Sequence, residues 1–392
     1  MLDVHKTGLV GTSSTAPGRA GALLGFGAFG AFWGTWGASL PRIQSHAGVD
    51  DAQLGVALLW VGVGALGFIR WAGGMTDRFG RRMVAGSVAA LGVSGLLPVF
   101  AHGVLALSFG LLVVGAASGA VDAAINAAAS RAEAGRRSVL TLAHGVFSLA
   151  VVAGSLGVAS AAGRDGRAWA LVVMAGVLFV VAAVSTRLSF APGVGDRTPG
   201  VPRPRRGRPS AAVLVLGGCA ALAYFVENAW QSWGAIQLHS TLGASLRVAA
   251  LAPAVFGAAA AVGRFGGHLL SAAVPPAAMV GGGAATAAVG SLLGALAPST
   301  APALLGMAIA GLGTSVCAPT IIALAGRTSA HAQGAATGTV ITIAYLGFVV
   351  GPAAVGLLSG ATTLATALVG VAMLAALLVV AGPAATRAAE RV

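Results

Sequence analysis

The chain has 392 residues, of which 57% are apolar and 8% are charged, and its formal net charge is +13. A soluble domain of this length cannot hide so much apolar surface, so the composition excludes a soluble protein. It predicts an all-α integral membrane protein whose partner is a lipid bilayer. The basic residues lie between apolar runs, where they set orientation, and this distribution argues against nucleic-acid binding.

Apolar runs of about 20 residues, the length that crosses roughly 30 Å of hydrocarbon, recur along the chain. They are too long for the alternating strands of an outer-membrane barrel. They predict twelve transmembrane helices in two pseudo-symmetric six-helix bundles. The expected spans are about 21–41, 53–72, 83–102, 104–129, 138–162, 168–186, 211–237, 248–270, 277–297, 301–325, 335–359 and 363–381.

A basic, proline-containing segment divides the chain into two halves. We expect a cytoplasmic tail at 1–20, a six-helix bundle at 21–187, a cytoplasmic linker at 188–210, a second bundle at 211–381 and a cytoplasmic tail at 382–392. This topology places 19 of the 23 basic residues on the side of the two termini. The positive-inside rule assigns that side to the cytoplasm, which predicts a multi-pass protein of the plasma (inner) membrane.

A short charged segment separates the second and third spans. Residues 73–82 read Gly-Gly-Met-Thr-Asp-Arg-Phe-Gly-Arg-Arg, with four charges in ten residues. We expect a loop at the bilayer surface. Orientation alone explains its arginines, but it explains neither the glycines nor the single acid.

This segment resembles the signature Gly-x-Leu-Ala-Asp-Arg-x-Gly-Arg-Arg of the major facilitator superfamily. The matching residues are Gly73, Asp77, Arg78, Gly80, Arg81 and Arg82. The resemblance implies two bundles that bind substrate between them and work by alternating access. It also implies that the matching residues form a cytoplasmic gate, in which Asp77 accepts hydrogen bonds from the N-terminal end of the eleventh helix.

Looser features resemble the fucose-permease-like, sugar-permease-like branch of that superfamily. They are Trp36 through Arg42, Asp122 with Asn126, His144 through Ser148, and Glu227 with Trp230 and Trp233. The branch implies a sugar-like solute and a proton symport, but its first-helix acid is missing here, which leaves the proton carrier open. The drug–proton antiporter branch is the alternative. Its basic residue in the fourth span and its Gly-Pro motif in the fifth are both absent.

Two carboxylates lie inside apolar runs. Asp122 has Asn126 one helical turn later, and Glu227 has Trp230 and Gln231 at positions i+3 and i+4. An ionisable group at membrane depth is costly and usually faces a cavity or a partner. We expect both acids to titrate protons or bind substrate. Carboxylate, amide and indole on one helix face suit a polyhydroxylated ligand, although a structural polar contact is the simpler alternative.

Three further residues are candidates with competing interpretations. His144 near the start of the fifth span is either a proton relay or an interfacial histidine. Trp36, with Trp33, either lines the cavity or packs between helices. Arg264, near the cytoplasmic end of the eighth span, either joins the cytoplasmic gate by bonding carbonyls or acids, or extends to the membrane surface.

The sequence contains no Ser/His/Asp grouping, no metal-ligand spacing and no Walker-type phosphate loop. We therefore expect no enzyme, no cofactor and energy taken from a gradient. The leading hypothesis is a monomeric secondary transporter of a small polar, sugar-like solute, coupled to protons. The alternative is a proton-driven efflux pump for drugs or secondary metabolites. A lipid-active membrane enzyme and a non-transporting sensor are the rivals from other classes.

Overall fold

The computed structural model describes residues 18–132, 139–161, 169–188, 210–327 and 333–391. These residues form twelve long helices. They are α1 (Arg19–Ala47), α2 (Asp51–Phe79), α3 (Arg81–Ser94), α4 (Gly103–Arg131), α5 (Val139–Ala161), α6 (Trp169–Ser185), α7 (Ala211–Ile236), α8 (Leu251–Leu270), α9 (Pro276–Ala295), α10 (Thr300–Arg327), α11 (Gln333–Ala361) and α12 (Leu364–Glu390). Short helical turns at Leu97–Phe100, Gln237–Thr241 and Leu246–Ala249 complete the described structure.

Ten of the described helices are long and apolar enough to cross a membrane, and α6 is a shorter apolar helix. The remaining long helix, α1, is 29 residues long and rich in glycine and tryptophan. Most of its residues are buried against other helices, so little of its surface has to be compatible with lipid. The all-helical architecture of two bundles that the sequence predicts is confirmed.

Local signals set the helix starts. Asp50 accepts a hydrogen bond from the backbone N–H of Gln53 at 2.8 Å, and the Gln53 side chain accepts one from the backbone N–H of Asp50 at 3.1 Å. This reciprocal capping box satisfies two backbone donors that a helix leaves unpaired at its start. Ser210 and Thr363 cap α7 and α12 in the same position.

Glycines bring equivalent helix pairs of the two halves into backbone contact. A side-chain carbon added at Gly34 of α1 would collide with the carbonyl oxygen of Val151 on α5. In the second half, the same addition at Gly347 of α11 would collide with the carbonyl oxygen of Ala221 on α7. Close approach through small residues stabilises helix pairs in lipid. The α1–α5 and α7–α11 pairs occupy matching places in the two bundles.

The two halves meet where α2 begins and α11 ends, which we call the closed end. A side-chain carbon added at Gly55 would lie 2.8 Å from the Cα of Gly356, so these backbones touch. Beside them, the Ser359 hydroxyl donates to Oδ2 of Asp51 at 2.5 Å, and Nε2 of Gln44 donates to Oδ1 at 2.7 Å. One carboxylate thus ties α1, α2 and α11 together.

A second interhalf contact joins α5 to the region before α8. The Ser155 hydroxyl donates to the carbonyl oxygen of Ala250 at 2.5 Å. One turn away, a side-chain carbon at Gly257 would lie 3.2 Å from Val151. Together with the α2–α11 contact, this pairing seals the closed end on two sides.

Three boundaries differ from the sequence expectation. The charged segment 73–82 is not an open loop: α2 continues to Phe79, α3 starts at Arg81, and only Gly80 breaks the helix. The first helix begins at Arg19, inside the expected tail, and runs through Pro41 to Ala47. The last helix continues to Glu390, through most of the expected tail at 382–392, because its alanine-rich end favours helix.

Candidate functional site

A cavity of 240 Å³ lies between the two halves. It is lined by α1, α2, α4 and α5 from the first half and by α7, α8 and α11 from the second. Both carboxylates singled out in the sequence, Asp122 and Glu227, lie on its wall. A cavity shared by two bundles has access to either membrane face when the bundles rock about it.

Glu227 on α7 is the centre of the first polar cluster. The guanidinium of Arg264 on α8 donates from Nη2 to Oε1 of Glu227 at 2.6 Å. Gln231 donates from Nε2 to the same oxygen at 3.1 Å. Neither donor uses Oε2. The side chain of Arg264 is 36% exposed and that of Glu227 is 10% exposed, so the pair is partly open to the cavity.

Trp230 is directed away from this cluster, which corrects the expectation that it shares a face with Glu227 and Gln231. Each residue turns a helix by about 100°, so position i+3 lies about 60° to one side of Glu227 and position i+4 about 40° to the other. The cavity occupies the side of Gln231. Trp230 is only 2% exposed, and its indole N–H donates to the hydroxyl of Ser291 on α9 at 2.9 Å.

Two more side chains of α7 bond to the backbone of α11 around Pro352. A proline inside a helix has no N–H for the carbonyl four residues earlier, here that of Phe348. Asn228 donates its side-chain amide to this Phe348 oxygen at 2.5 Å. Trp233 donates its indole N–H to the carbonyl of Pro352 at 3.0 Å. Asn228 therefore satisfies the carbonyl that the proline leaves without a helical partner, as backbone groups at membrane depth require, and Trp233 adds a second bond to the same helix.

Asp122 on α4 is the centre of the second polar cluster. Its Oδ1 accepts a hydrogen bond from the amide of Asn126 at 2.9 Å, as the one-turn spacing predicts. Its Oδ2 accepts a hydrogen bond from the hydroxyl of Tyr345 at 3.0 Å. Tyr345 belongs to α11, so this bond crosses between the halves. The sequence reasoning missed Tyr345, although it is one of only two tyrosines in the chain.

Aromatic side chains form much of the remaining wall. Trp33 and Trp36 of α1 both line the cavity, together with Phe29 and Phe147 from the same half. The ring of Phe32 packs against both indoles and holds them in place. Aromatic surfaces next to a few polar groups are typical of small-molecule sites.

Arg264 differs from its expected place, whereas His144 lies near the start of the fifth helix as expected. Arg264 was a candidate for the cytoplasmic gate, and its guanidinium lies in the central cavity, since α8 directs it toward Glu227. His144 is not part of the cavity wall, and its ring lies edge-on to Phe26 with 5.0 Å between ring centres. Among the described residues, no group of three or more His, Cys, Asp or Glu side chains is placed to hold a metal ion.

The charged segment shows why a glycine is needed in its middle. Gly80 has φ 51° and ψ −119°, a conformation that side-chain-bearing residues rarely adopt, and it separates α2 from α3. Arg81 and Arg82 are exposed in the first turn of α3. Arg78 is exposed too, with its guanidinium 5.3 Å from the ring centre of Phe79. Gly73 is within α2, but the side chain of Asp77 lies outside the described residues, so its expected latch remains a prediction.

Residues 21–352 match the profile described as Major Facilitator Superfamily. An uncharacterised MFS-type transporter of Yersinia pestis is 27% identical over 352 residues, covering 89% of this chain and 90% of that protein. Among solved structures, a nucleoside transporter superposes with a TM-score of 0.76 at 13% identity, covering 94% of this chain and 99% of that one. An inward-open xylose transporter from E. coli superposes with a TM-score of 0.72 at 12% identity, covering 92% and 94%.

The profile match extends over most of the chain, and the structural neighbours share its fold. The interhalf cavity lies where this fold places substrate. The protein is therefore a multi-pass membrane transporter of the secondary type and not an enzyme: the chain belongs to the Major Facilitator Superfamily.

Proposed function

We propose that the protein moves a small polar, sugar-like solute by alternating access and couples this movement to protons. The observation that supports this proposal is a hydrogen-bonded cluster in the wall of the interhalf cavity. It consists of an acceptor, Glu227, a donor, Arg264, and an amide, Gln231. Neighbouring hydroxyls of a sugar both donate and accept hydrogen bonds. A carboxylate beside a guanidinium matches that pattern, with Oε2 of Glu227 accepting and the cavity-facing N–H groups of Arg264 donating.

The aromatic wall supports the same solute class. A sugar has an apolar C–H face that stacks on an indole, and the partly exposed indole of Trp33 on α1 presents such a surface to the cavity. We propose this indole for the stacking role that the sequence analysis gave to Trp230. The solved nucleoside and xylose transporters have the same fold, and both of those proteins carry solutes that contain a sugar. We assign this chain to the fucose-permease-like branch on these grounds together.

The test uses purified protein and defined probes. L-fucose, D-xylose and uridine are offered first in a thermal-shift screen and then in counterflow from proteoliposomes, with and without an imposed pH gradient. We expect at least one of them to exchange, and Gln231→Ala to reduce that exchange about ten-fold by removing one polar partner. An absence of counterflow with every sugar and nucleoside contradicts the proposed solute class.

Proton-driven efflux of drugs or secondary metabolites is the second candidate. It is favoured by one observation: six phenylalanine and tryptophan side chains, Phe29, Trp33, Trp36, Phe147, Phe256 and Phe348, line the cavity. Accumulation of ethidium in inverted membrane vesicles with an acidic interior, so that protons leave as the drug enters, and its absence in the Glu227→Gln variant, would replace the sugar assignment. The same vesicles with an acidic exterior measure proton-coupled L-fucose uptake as the direct comparison.

We also propose the orientation that the basic residues predict. The two termini and the linker at 188–210, most of which lies outside the described residues, would be cytoplasmic, and the protein would work as a monomer in the plasma membrane. The segment from Gly73 to Arg82 acts as a gate on that side, with Asp77 as its acid. Cysteine labelling from either face of oriented vesicles, at exposed positions such as Ser271 and Ser299, tests the orientation directly.

A further inference from the structure

We infer that Asp122 is the proton-carrying acid and that Tyr345 couples its protonation to the relative position of the two halves. Glu227, in contrast, belongs to solute recognition. This assignment of separate roles to the two carboxylates deepens the proposed function and rests on it. The starting point is that the two carboxylates of one cavity have different partners.

Glu227 already has a cationic partner. Its Oε1 lies 2.6 Å from Nη2 of Arg264, and both residues belong to the second half. A carboxylate paired with a guanidinium gains little from taking up a proton, because protonation would leave the arginine charge unmatched in a partly buried place. The pair also stays intact when the halves rock, since α7 and α8 move together.

Asp122 has neutral partners. Its described hydrogen bonds come from the amide of Asn126 and the phenol of Tyr345. Tyr224 on α7 is a further titratable group near it, and Glu227 and Arg264 lie elsewhere on the same cavity wall. From the helices packed on α4, the side chain of Arg70 on α2 lies outside the described residues, and His144 on α5 contacts Phe26. Among the described residues, no cation is hydrogen-bonded to Asp122, so taking up one proton removes a costly charge at membrane depth.

The bond from Tyr345 to Asp122 joins α11 to α4 across the cavity, whereas the bonds of Glu227 stay within one half. A hydrogen bond to an ionised carboxylate is about twice as strong as one between neutral groups. Ionised Asp122 therefore stabilises the conformation with the sealed closed end. Protonation weakens the link and frees the halves to move. The carboxylate takes a proton from water on one side and releases it on the other.

The direction of the pH effect follows. Raising the pH ionises Asp122 and favours the present conformation, and lowering the pH depopulates it. Protons shift the equilibrium between the two conformations only as far as the proton affinity of Asp122 differs between them. Tyr345→Phe removes the hydroxyl that donates to Asp122. The ratio of the two conformations should then change with pH about ten-fold less than in the wild type. Asp122→Asn should abolish that change.

The experiment measures the two conformations without any solute. Spin labels are placed at Ser160 and Ser299 near the closed end, and at Thr186 and Ser271 at the opposite end, with Cys219 and Cys317 replaced by Ala. Ser160, Ser299, Thr186 and Ser271 are exposed. Pulsed electron spin resonance is recorded between pH 5 and 9. We expect the closed-end distance to lengthen and the opposite distance to shorten as the pH falls.

Tyr224→Phe is the matched control, because its ring packs against Phe348 within the same half and the residue is outside the cavity wall. It should keep the wild-type pH profile. Wild-type pH dependence in Tyr345→Phe overturns the role of Tyr345, even if Asp122→Asn has no response. Retained pH dependence in Asp122→Asn, or its loss in Glu227→Gln, overturns the assignment of the proton to Asp122. The measurement uses protons as the only ligand, so counterflow with L-fucose succeeds or fails independently of it.

Discussion

Arg264 of α8 and Glu227 of α7 form a charge pair, with 2.6 Å between Nη2 and Oε1, in the wall of the interhalf cavity. We expect Glu227→Gln and Arg264→Gln each to destabilise the protein, because each leaves one charge without its partner. The double variant should lose less than the sum of the two, by about 1–3 kcal/mol. The 36% exposure of the Arg264 side chain keeps the effect below the range of a fully buried pair.

Thermal unfolding in detergent measures this non-additivity. Arg247→Gln is the control, because Arg247 is an exposed arginine of the same half and its replacement should leave the midpoint unchanged. Strictly additive losses would show that the pair does not act as a unit.

The contact of Gly55 with Gly356 controls the closed end. In the Gly55→Ala variant, the added methyl group would lie 2.8 Å from the Cα of Gly356, too close to be accommodated without separating α2 and α11. Overpacking of this kind costs about 1–3 kcal/mol, which shifts the conformational ratio about five-fold or more toward opening. Gly67→Ala on the same helix, where nothing lies within 4 Å, is the matched control. The distance between spin labels at Ser160 and Ser299 reports the shift, and equal behaviour of both variants would exclude the contact as a seal.

The backbone conformation of Gly80 makes it hard to replace. At φ 51° and ψ −119°, an alanine would be strained by about 1–3 kcal/mol, so Gly80→Ala should lower the unfolding midpoint. Gly74→Ala lies six residues earlier in the helical part of the same segment, where nothing lies within 4 Å of the added carbon. Alanine favours helix over glycine, so that variant should be neutral or slightly stabilising. A harmless Gly80→Ala would argue against a required break between α2 and α3.

A substitution of Trp230 should lower stability, whereas a substitution of Trp33 should change transport. Trp230→Phe removes the indole N–H that bonds Ser291 and part of a buried ring, at a cost of about 1–3 kcal/mol in stability. Trp33→Phe changes a partly exposed ring at the cavity and should alter counterflow of the sugar probes with little change in the unfolding midpoint. The opposite result, with transport sensitive to Trp230 and stability sensitive to Trp33, would contradict the placement of both.

The helical architecture follows from the sequence because its signals are local. Runs of about 20 apolar residues can satisfy their backbone in lipid only as helices, and the capping groups of Asp50, Ser210 and Thr363 mark where three of them start. The charged segment 73–82 identified the family for the same reason, since its pattern is contiguous. The two carboxylates were found because ionisable groups are rare inside apolar runs.

Which of these side chains meet depends on contacts between helices that are distant in the sequence. Glu227 and Arg264 are 37 positions apart in the sequence, Asp122 and Tyr345 are 223 apart, and the rotation of each helix depends on its neighbours. Asn228 and Trp233 bond to the backbone of α11 beside Pro352, and Trp230 bonds to Ser291 inside the second bundle. Those contacts turn the face of Glu227 and Gln231 to the cavity. The sequence by itself determined the number of helices and the acids they carry, whereas non-local packing decided that Arg264 pairs with Glu227 and Tyr345 with Asp122.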